Sequence, residues 1–300
     1  MDEPTDVRVR SSASRENLQR RLDAVVRENR FTIAVVFPVV GAVTLVGSAE
    51  GVVPEPFAYN ALLLLFGTAV MRSPLLVGLL PRIDRRGVGA LGLLTAYTYA
   101  IEFVGVRTGW PYGTFEYGIR LGPMVADEVP LALPLFFVPL VANAYLLTVL
   151  VLGDRARSLP LRLGGAVAAV VAVDLVLDPG AVAVGFWTYV PPGGYYGVPL
   201  SNYLGWLLSG AVGVVLFDLA FGLDPEAREA LLERVRTCEF ALDDLVSFVL
   251  LWGTINACYG NWLAVGVAGL FGLGLLRTER YDLEMVRTAI PGGSDGSERG

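Results

Sequence analysis

Histidine and lysine are both absent from the 300 residues of this chain, and cysteine occurs only twice. Without histidine there is no His-ligated zinc, haem or di-iron site, and neither a Ser–His nor a Cys–His catalytic pair can form. Any acid–base chemistry must therefore use Asp, Glu, Tyr or Arg. Cys238 and Cys258 do not form a C-x-x-C motif, which argues against a metal cluster or a disulfide framework. We expect both cysteines to be structural and expect no metal site.

Charge is also scarce in this sequence. Charged residues make up 17% of the chain, whereas hydrophobic residues make up 54%, and the mean hydropathy is +0.57. This composition is too apolar for an ordinary soluble domain, and the charges fall in short blocks between long apolar runs. All 23 basic residues are arginine, and the net charge of -6 argues against a basic nucleic-acid surface. We therefore predict an integral membrane protein without a nucleic-acid partner.

Eight apolar segments approach the length of roughly 20 residues that a helix needs to cross a bilayer. The last two are short and meet at Cys258-Tyr259-Gly260-Asn261, so they form either two spans or one kinked or re-entrant element. We therefore predict an all-α, polytopic membrane bundle of seven or eight transmembrane helices, at about 31–48, 57–80, 87–106, 129–152, 161–178, 199–222, 241–257 and 260–276.

The positions of the arginines predict the orientation of these helices, because short cytoplasmic loops carry an excess of basic residues. With eight spans, the arginine-rich segments fall on one side of the membrane, and only Arg107 and Arg120 lie opposite them. We therefore expect both termini to be cytoplasmic and the protein to lie in the cell membrane. The predicted organisation is an Arg-rich N-terminal segment over 1–30 that contains an amphipathic helix, a transmembrane domain over 31–276 and a cytoplasmic tail over 277–300.

Two long loops on the side away from most arginines combine glycine and proline with many aromatic residues, over 107–128 and 179–198. For any single ring, the alternative is a place in an aromatic belt at the lipid headgroups. The loops also resemble each other, because each follows a helix that ends in carboxylates and leads into Val-Pro-Leu, at Val129 and at Val198. Membrane folds often place a site between repeated units. Two short similarities do not by themselves establish a repeat.

Three carboxylates lie inside apolar runs at a similar predicted depth: Glu102 ends the third span, and Asp174 and Asp178 end the fifth. A charged side chain costs roughly 2.5–3.5 kcal/mol at the bilayer centre, so each is a candidate functional residue. Asp174 and Asp178 are four residues apart and therefore share one helix face. Asn202 and Tyr203, in the first turns of the sixth span, could complete a polar cluster with them.

Other polar residues of the spans have structural interpretations. Glu102 or Asp174 could simply pair with Arg107 or Arg120, and Asn143 could form a hydrogen bond between helices. Arg72 is expected to extend towards the cytoplasmic interface. We interpret three further carboxylates as solvated caps beside arginines at the cytoplasmic helix ends: Asp218, Asp243 and Asp244.

Carboxylates at the edge of the hydrocarbon suit one reaction in particular, the protonation of an isolated double bond followed by capture of the tertiary cation by water. A buried carboxylic acid can deliver the proton. A second, ionised carboxylate can stabilise the cation and deprotonate the incoming water. Aromatic faces can contribute cation–π attraction. The same groups would serve other tasks, so this chemistry alone does not identify the substrate.

A series of motifs carries a resemblance to a known family. It consists of E-x-x-G-V-x-T-G-W-P-Y-G-T-F-E-Y-G from Glu102, V-P-L-A-L-P-L from Val129, D-L-V-L-D-P-G from Asp174 with Trp187 after it, and G-Y-Y-G-V-P-L-S-N-Y-L-G-W from Gly194. In this order, over roughly 87–222, the motifs resemble the membrane carotenoid hydratases typified by the bacterial γ-carotene 1',2'-hydratases. The similarity is greatest to the haloarchaeal branch, which acts on bisanhydrobacterioruberin.

The resemblance implies that water is added to the terminal isoprenoid double bonds of a linear C50 carotenoid, on the way to bacterioruberin. It implies no organic cofactor; the partners are the carotenoid, water and the lipid bilayer. We expect Asp178 or Glu102 to donate the proton, with Asp174 as partner. The candidate residues that orient water or substrate are Tyr112, Glu116, Trp187, Tyr196, Asn202 and Trp206.

Two alternatives remain at this point. Membrane prenyltransferases and carotenoid elongases also use acidic helical motifs, but they hold a diphosphate through Mg²⁺ and are expected to show two Asp-rich motifs with basic residues nearby. Here Asp174 and Asp178 form the single intramembrane Asp pair, and Asp243-Asp244 lies on the opposite side. The other alternative is a carotenoid-binding or transport protein without enzymatic activity.

Overall fold

The computed structural model describes residues 4–221 and 224–278. Within these ranges it contains ten α-helices and four short β-strands. The helices are α1 Pro4–Glu28, α2 Phe37–Ala49, α3 Ala61–Leu79, α4 Arg85–Thr108, α5 Leu133–Leu152, α6 Leu159–Ala183, α7 Leu200–Phe221, α8 Pro225–Thr237, α9 Asp243–Cys258 and α10 Trp262–Arg277. The strands are β1 Phe115–Tyr117, β2 Met124–Val125, β3 Val129–Pro130 and β4 Trp187–Tyr189.

The helices confirm a multi-pass membrane bundle of seven to eight spans. Six helical stretches are long and apolar enough to cross a membrane, the first of them formed by α2 and the π-helical turn Thr32–Val36 that precedes it. Two further helices, α9 and α10, have 16 residues each and correspond to the last two predicted segments. They are joined by a tight turn in which Gly260 has a φ of 73°, a conformation that favours glycine. The described helices thus include each predicted span, with shifts of a few residues at the ends.

The two remaining helices, α1 and α8, are polar and pack against the same end of the bundle. Their contact includes an ion pair of 3.0 Å between Arg234 of α8 and Asp23 of α1. Gln19 of α1 donates a hydrogen bond of 3.0 Å to the carbonyl oxygen of Val77 in α3. The N-terminal segment predicted to be an amphipathic helix is therefore helical. Most of the predicted tail over 277–300 lies outside the described residues.

Helix α6 occupies the centre of the bundle and contacts α5, α7, α9 and α10. Two of its buried positions carry aspartates, Asp174 and Asp178, which are 0% and 2% exposed. The prediction ended this helix at residue 178, whereas the observed helix continues to Ala183 with Pro179 inside it. Proline removes one backbone donor but does not end this helix. As a result, both aspartates lie within the helix and point between its neighbours.

The bundle has two chemically different ends. We call the end that carries α1, α8 and most arginines the arginine end, and the end that carries the four strands the loop end. At the loop end, β1 pairs antiparallel with β4, with Glu116 opposite Thr188. Before each Val-Pro-Leu the chain also forms a small antiparallel turn, β2 with β3 in the first loop and Tyr195 with Val198 in the second. The two long loops therefore fold into one cap.

The arginine end contradicts part of the prediction. The three carboxylates interpreted as solvated caps are between 0% and 3% exposed and are paired inside the protein: Asp218 with Arg162 at 2.6 Å, Asp243 with Arg30 at 2.6 Å, and Asp244 with Arg72. Arg72 therefore does not extend to the interface. Asn143 does form the hydrogen bond between helices, donating to Asp244 at 2.6 Å. Apolar side chains of α8 and of the turn before α9 cover this end and keep water out, among them Leu231, Val235, Phe240 and Leu242.

Candidate active site

Asp174 and Asp178 are held together by one amide group. The side-chain nitrogen of Asn202, in the first turn of α7, donates to Asp174 Oδ2 at 2.8 Å and to Asp178 Oδ2 at 2.7 Å. Asn202 is 2% exposed, so this contact is shielded from solvent. The four-residue spacing places both carboxylates on the face of α6 that meets α7. The cluster predicted from sequence for these three residues is therefore present.

Two tyrosines of the loop cap each donate a hydrogen bond to a carboxylate below them. Tyr189 of β4 donates to Asp178 Oδ2 at 2.7 Å, and Tyr117 of β1 donates to Glu102 Oε1. In the antiparallel register, Tyr117 lies opposite Trp187, and Tyr189 lies opposite Phe115. Because an antiparallel pair has local twofold symmetry, Tyr117 and Tyr189 occupy equivalent positions. The strand pair thus places two tyrosine–carboxylate pairs next to each other.

Glycine permits the close approach of the two loops. The backbone N–H of Gly118 donates to the carbonyl oxygen of Phe186 at 2.9 Å. A Cβ atom on Gly118 would lie only 2.2 Å from the carbonyl oxygen of Gly185, so a larger residue would separate the strands. Since β1 and β4 carry Tyr117 and Tyr189, the glycine at position 118 helps to set the position of both tyrosine–carboxylate pairs.

Burial keeps these tyrosines in the donor form. It raises the pKa of Tyr117, and the nearby Glu102 carboxylate raises it further. Burial likewise raises the pKa of Tyr189, with additional contributions from Asp178 and Asp174. Both hydroxyl groups therefore stay protonated at any physiological pH and can donate to a carboxylate. Buried hydrogen bonds of this kind are strong, because the low local dielectric favours them.

A cavity lies beneath the cap. Its volume, counted as the space open to the centre of a water molecule, is about 130 Å³. One water needs roughly 10–15 Å³ by the same measure. Glu102, Asp178 and Asn202 are its polar groups among helix residues, and the rest of its wall is mostly aromatic and aliphatic, including Phe115, Phe136, Phe137, Leu140, Leu177, Phe186 and Trp252. Phe137 stacks on Trp206 with ring centroids 5.1 Å apart. The cavity therefore suits an apolar, branched group that meets carboxylates at one place.

The structure places the predicted residues in three groups. Tyr112, Trp187 and Trp206 line the cavity together with Glu102, Asp178 and Asn202. Asp174 lies behind Asn202, is fully buried and does not line the cavity. Two residues lie elsewhere: the Tyr196 hydroxyl accepts from the backbone N–H of Leu263 at 3.2 Å, and Glu116 is exposed on β1.

The cavity-lining aromatic residues are fixed by neighbours. The Tyr112 hydroxyl shares a hydrogen bond of 2.7 Å with Ser209 of α7. Its ring packs closely over Gly205, where an added Cβ would approach within 2.5 Å. Burial raises the pKa of Tyr112 well above its ordinary value. By contrast, the buried Trp187 Nε1 has no hydrogen-bond partner among the residues that the structure describes. Trp187 itself lines the cavity.

The ion-pair alternative for the carboxylates does not fit this arrangement. Arg107 pairs with Glu128 on the surface, at 2.7 Å, and its guanidinium also lies over the Phe103 ring. In the described part of the chain, neither Glu102 nor Asp174 forms an ion pair; their recorded partners are a tyrosine and an amide. Neither carboxylate is therefore committed to an ion pair with an arginine in the described part of the chain.

Tyr117 and Tyr189 were missed as site residues by the sequence interpretation. The signal that could have found them is the alternation within each loop strand. Phe115 and Tyr117 point towards the cavity and Glu116 points away, as expected for a strand of period two. The two strands also share the pattern Gly, any residue, aromatic, any residue, Tyr, at 113–117 and 185–189. Aligning these patterns would have paired the two tyrosines.

No metal centre is apparent in the described ranges, where no group of three or more Cys, Asp or Glu side chains could hold an ion. The Asp243-Asp244 motif, which a diphosphate-using enzyme could employ, lies at the arginine end with both side chains engaged by arginines. This arrangement does not support the prenyltransferase alternative, because the acidic residues that would hold Mg²⁺ already have partners.

Comparison with known proteins agrees with the motifs. The model of a family described as "Carotenoid biosynthesis protein" matches residues 59–275. A curated relative, the bisanhydrobacterioruberin hydratase of Haloarcula japonica, is 59% identical over 270 residues, which is 90% of this chain and 90% of the relative. No solved structure matches the chain. The aromatic cavity with its two tyrosine–carboxylate pairs lies within the matched region, and the chain belongs to the carotenoid biosynthesis protein family.

Proposed function

We propose that this protein is a carotenoid hydratase, which adds water to the terminal isoprenoid double bonds of a linear C50 carotenoid and converts bisanhydrobacterioruberin to bacterioruberin. One observation carries the proposal: Glu102 and Asp178 line the same apolar, aromatic cavity, and each accepts a hydrogen bond from a tyrosine. The name and 59% identity of the relative support the substrate. The cavity chemistry independently supports acid-catalysed hydration.

The hydrogen bonds suggest which carboxylate is the acid. Asp178 Oδ2 accepts from both Tyr189 and Asn202, which favours the ionised form because both donors stabilise negative charge. Glu102 accepts one hydrogen bond, on Oε1, so Oε2 can carry a proton towards the cavity. We therefore assign Glu102 as the proton donor and Asp178 as the base.

The reaction then proceeds in two balanced steps. The Glu102 proton is transferred to the less substituted carbon of the double bond, leaving a tertiary cation on the chain and a carboxylate on the enzyme. Water forms the new C–O bond at the cationic carbon, and its proton passes to Asp178. The net change is the addition of one water, and transfer of the proton from Asp178 back to Glu102 through bound water restores the enzyme.

The aromatic wall stabilises the cation. Rings of Trp187, Trp206 and Phe115 line the cavity around the carboxylates, and a desolvated cation–π contact is worth about 2 kcal/mol. The unpartnered Trp187 Nε1–H can donate to the attacking water. Asp174 acts as a positioning residue, since its contact with Asn202 holds the amide that binds Asp178.

The location of the site fits a long polyene. The hydrocarbon core is about 30 Å thick, so a linear carotenoid can extend along the bundle from the cavity at the loop end, where water is close. The two similar ends would be hydrated in successive binding events. We further propose that the arginine end faces the cytoplasm of the cell, because basic residues are enriched in cytoplasmic loops.

The test is expression in a host that accumulates the anhydro carotenoid, followed by mass spectrometry of the pigment in medium containing ¹⁸O-labelled water. We expect products heavier by one and two waters, with the label in the new hydroxyl groups. A carotenoid-binding or transport protein would bind pigment without changing its mass. Unchanged pigment in membranes that contain the folded protein would therefore rule out the hydratase.

A further inference from the structure

A second, smaller polar pocket adjoins the cavity on the side of the arginine end. It is lined by Arg72, Asn143, Val173 and Leu245, together with Phe136, Leu140 and Leu177, which also line the large cavity. Because three residues form walls of both spaces, the small pocket lies directly beside the large cavity, on the side of the arginine end. The space between Arg72 and Asn143 is called the hydroxyl site.

Two buried polar atoms at this pocket lack partners in the described part of the chain, Arg72 Nε and Asn143 Oδ1. Arg72 is 9% exposed and Asn143 is 3% exposed. Arg72 pairs with Asp244 through Nη1, and Asn143 donates to Asp244 through Nδ2. A buried donor or acceptor without a partner costs about 1–3 kcal/mol, and native structures rarely leave one. The two atoms therefore indicate a bound group.

The chemistry of these atoms restricts what binds. Arg72 Nε–H is a donor and Asn143 Oδ1 is an acceptor, so the bound group must both accept and donate. The charges of Arg72 and Asp244 cancel, so nothing favours a charged ligand. The pocket offers about 10 Å³ to the centres of water-sized spheres, which is room for one oxygen atom. A single neutral hydroxyl group meets all three conditions.

We propose that Arg72 and Asn143 form a binding site for one neutral hydroxyl group at the inner end of the substrate cavity. The hydroxyl belongs either to an alcohol on the carotenoid end or to a water. The site is close to the cavity carboxylates, because Val173 lies five residues from Asp178 along α6, about 7.5 Å at the helical rise of 1.5 Å per residue. The carotenoid as ligand rests on the proposed function; the hydroxyl site rests on the two unpartnered atoms.

The test compares two linear C50 carotenoids of equal polyene length, one with a tertiary hydroxyl near the reacting end and one without. Binding to the full-length protein in lipid nanodiscs is measured by quenching of tryptophan fluorescence, since Trp187, Trp206 and Trp252 line the cavity. The key variant is Arg72→Lys, which keeps a positive charge beside Asp244 but removes the Nε donor. The matched control is Thr148→Val on α5, because the Thr148 hydroxyl donates only within its helix, to Ala144.

We expect Arg72→Lys to weaken binding of the hydroxylated carotenoid roughly tenfold, as for loss of one buried hydrogen bond to a charged donor. Binding of the other carotenoid should change less than twofold, and Thr148→Val should change neither. Equal weakening of both at an unchanged melting temperature identifies water as the occupant. An oxygen peak within hydrogen-bond distance of both atoms in the carotenoid-free protein would support that result.

Wild-type affinity for both carotenoids in Arg72→Lys would overturn the hydroxyl site. Equal weakening with a lowered melting temperature would also overturn it, because the ion pair with Asp244 would then explain the effect. Binding does not depend on turnover, so pigment mass from the same samples tests the hydratase separately. Unchanged mass with wild-type protein would refute the proposed reaction and leave the binding result interpretable.

Discussion

The two ends of this bundle bury the same chemical group in opposite ways. At the arginine end, Asp218, Asp243 and Asp244 each pair with an arginine. At the loop end, Glu102, Asp174 and Asp178 receive hydrogen bonds from tyrosine and asparagine side chains. An arginine neutralises a buried carboxylate through an ion pair, whereas the donors at the loop end leave the carboxylates without a cationic partner. The comparison separates carboxylates that hold helices together from those available for chemistry.

The most direct test of this difference between the two ends is to remove the cavity carboxylates one at a time. Asp178→Asn and Glu102→Gln should each lower hydration by roughly 10²–10⁴-fold, the usual contribution of acid–base groups. Because Asn and Gln are nearly isosteric and keep an acceptor for the tyrosines, the melting temperature should stay close to that of wild type. Product per unit of membrane protein measures the first effect, and thermal unfolding in detergent measures the second. Full activity in either variant would remove that residue from the mechanism.

The opposite result is expected at the arginine end. Asp218→Asn leaves Arg162 with an uncompensated charge at a site where its side chain is 3% exposed. Breaking one partner of a buried ion pair typically costs about 3–5 kcal/mol. The Tyr145 hydroxyl also loses a charged acceptor, now at 2.6 Å. We expect a large loss of thermal stability and of folded protein, with turnover per folded molecule near wild type.

A double variant provides the control for the Asp218→Asn prediction. The double variant Asp218→Asn with Arg162→Met removes both charges and should recover much of the lost stability, since it leaves no unpaired charge. Low turnover in Asp218→Asn protein that remains folded would contradict the division between the two ends, because it would give an arginine-paired carboxylate a role in the reaction.

Much of the fold could be predicted from sequence because apolar runs of about 20 residues have few stable outcomes in a membrane. The spans, the carboxylate cluster around Asn202 and the hydrogen bond of Asn143 follow from such runs and from helical spacing. The solvated caps were predicted wrongly, since local sequence does not reveal that α8 and the turn before α9 cover Asp243 and Asp244. Pairing of β1 with β4, which joins loops about 70 residues apart, was not predicted either, although the pattern shared by 113–117 and 185–189 was a signal for it.

The tyrosines of that strand pair give the next test. Tyr189→Phe and Tyr117→Phe each remove one hydrogen bond to a cavity carboxylate, which is worth about 1.5–3 kcal/mol when one partner is charged. We expect hydration to fall roughly tenfold to a hundredfold while carotenoid binding, measured by tryptophan quenching, stays within about threefold. If the hydroxyls were only structural, binding and thermal stability would fall together with turnover.

The smallest effect is predicted for Glu116, which lies between the two cavity-facing residues Phe115 and Tyr117 but on the other face of β1. The sequence interpretation included it among the orienting residues, and its exposure on the outer face argues that Glu116→Gln changes hydration less than twofold. The matched substitution Glu102→Gln makes the same chemical change inside α4, at a residue that lines the cavity, and should nearly abolish the reaction. Measuring both in one host, with protein amounts normalised, compares identical carboxylate-to-amide changes that differ only in whether the group faces the cavity. A large loss in Glu116→Gln would show that the outer face of the cap also takes part, as a route for water or as a contact with the substrate.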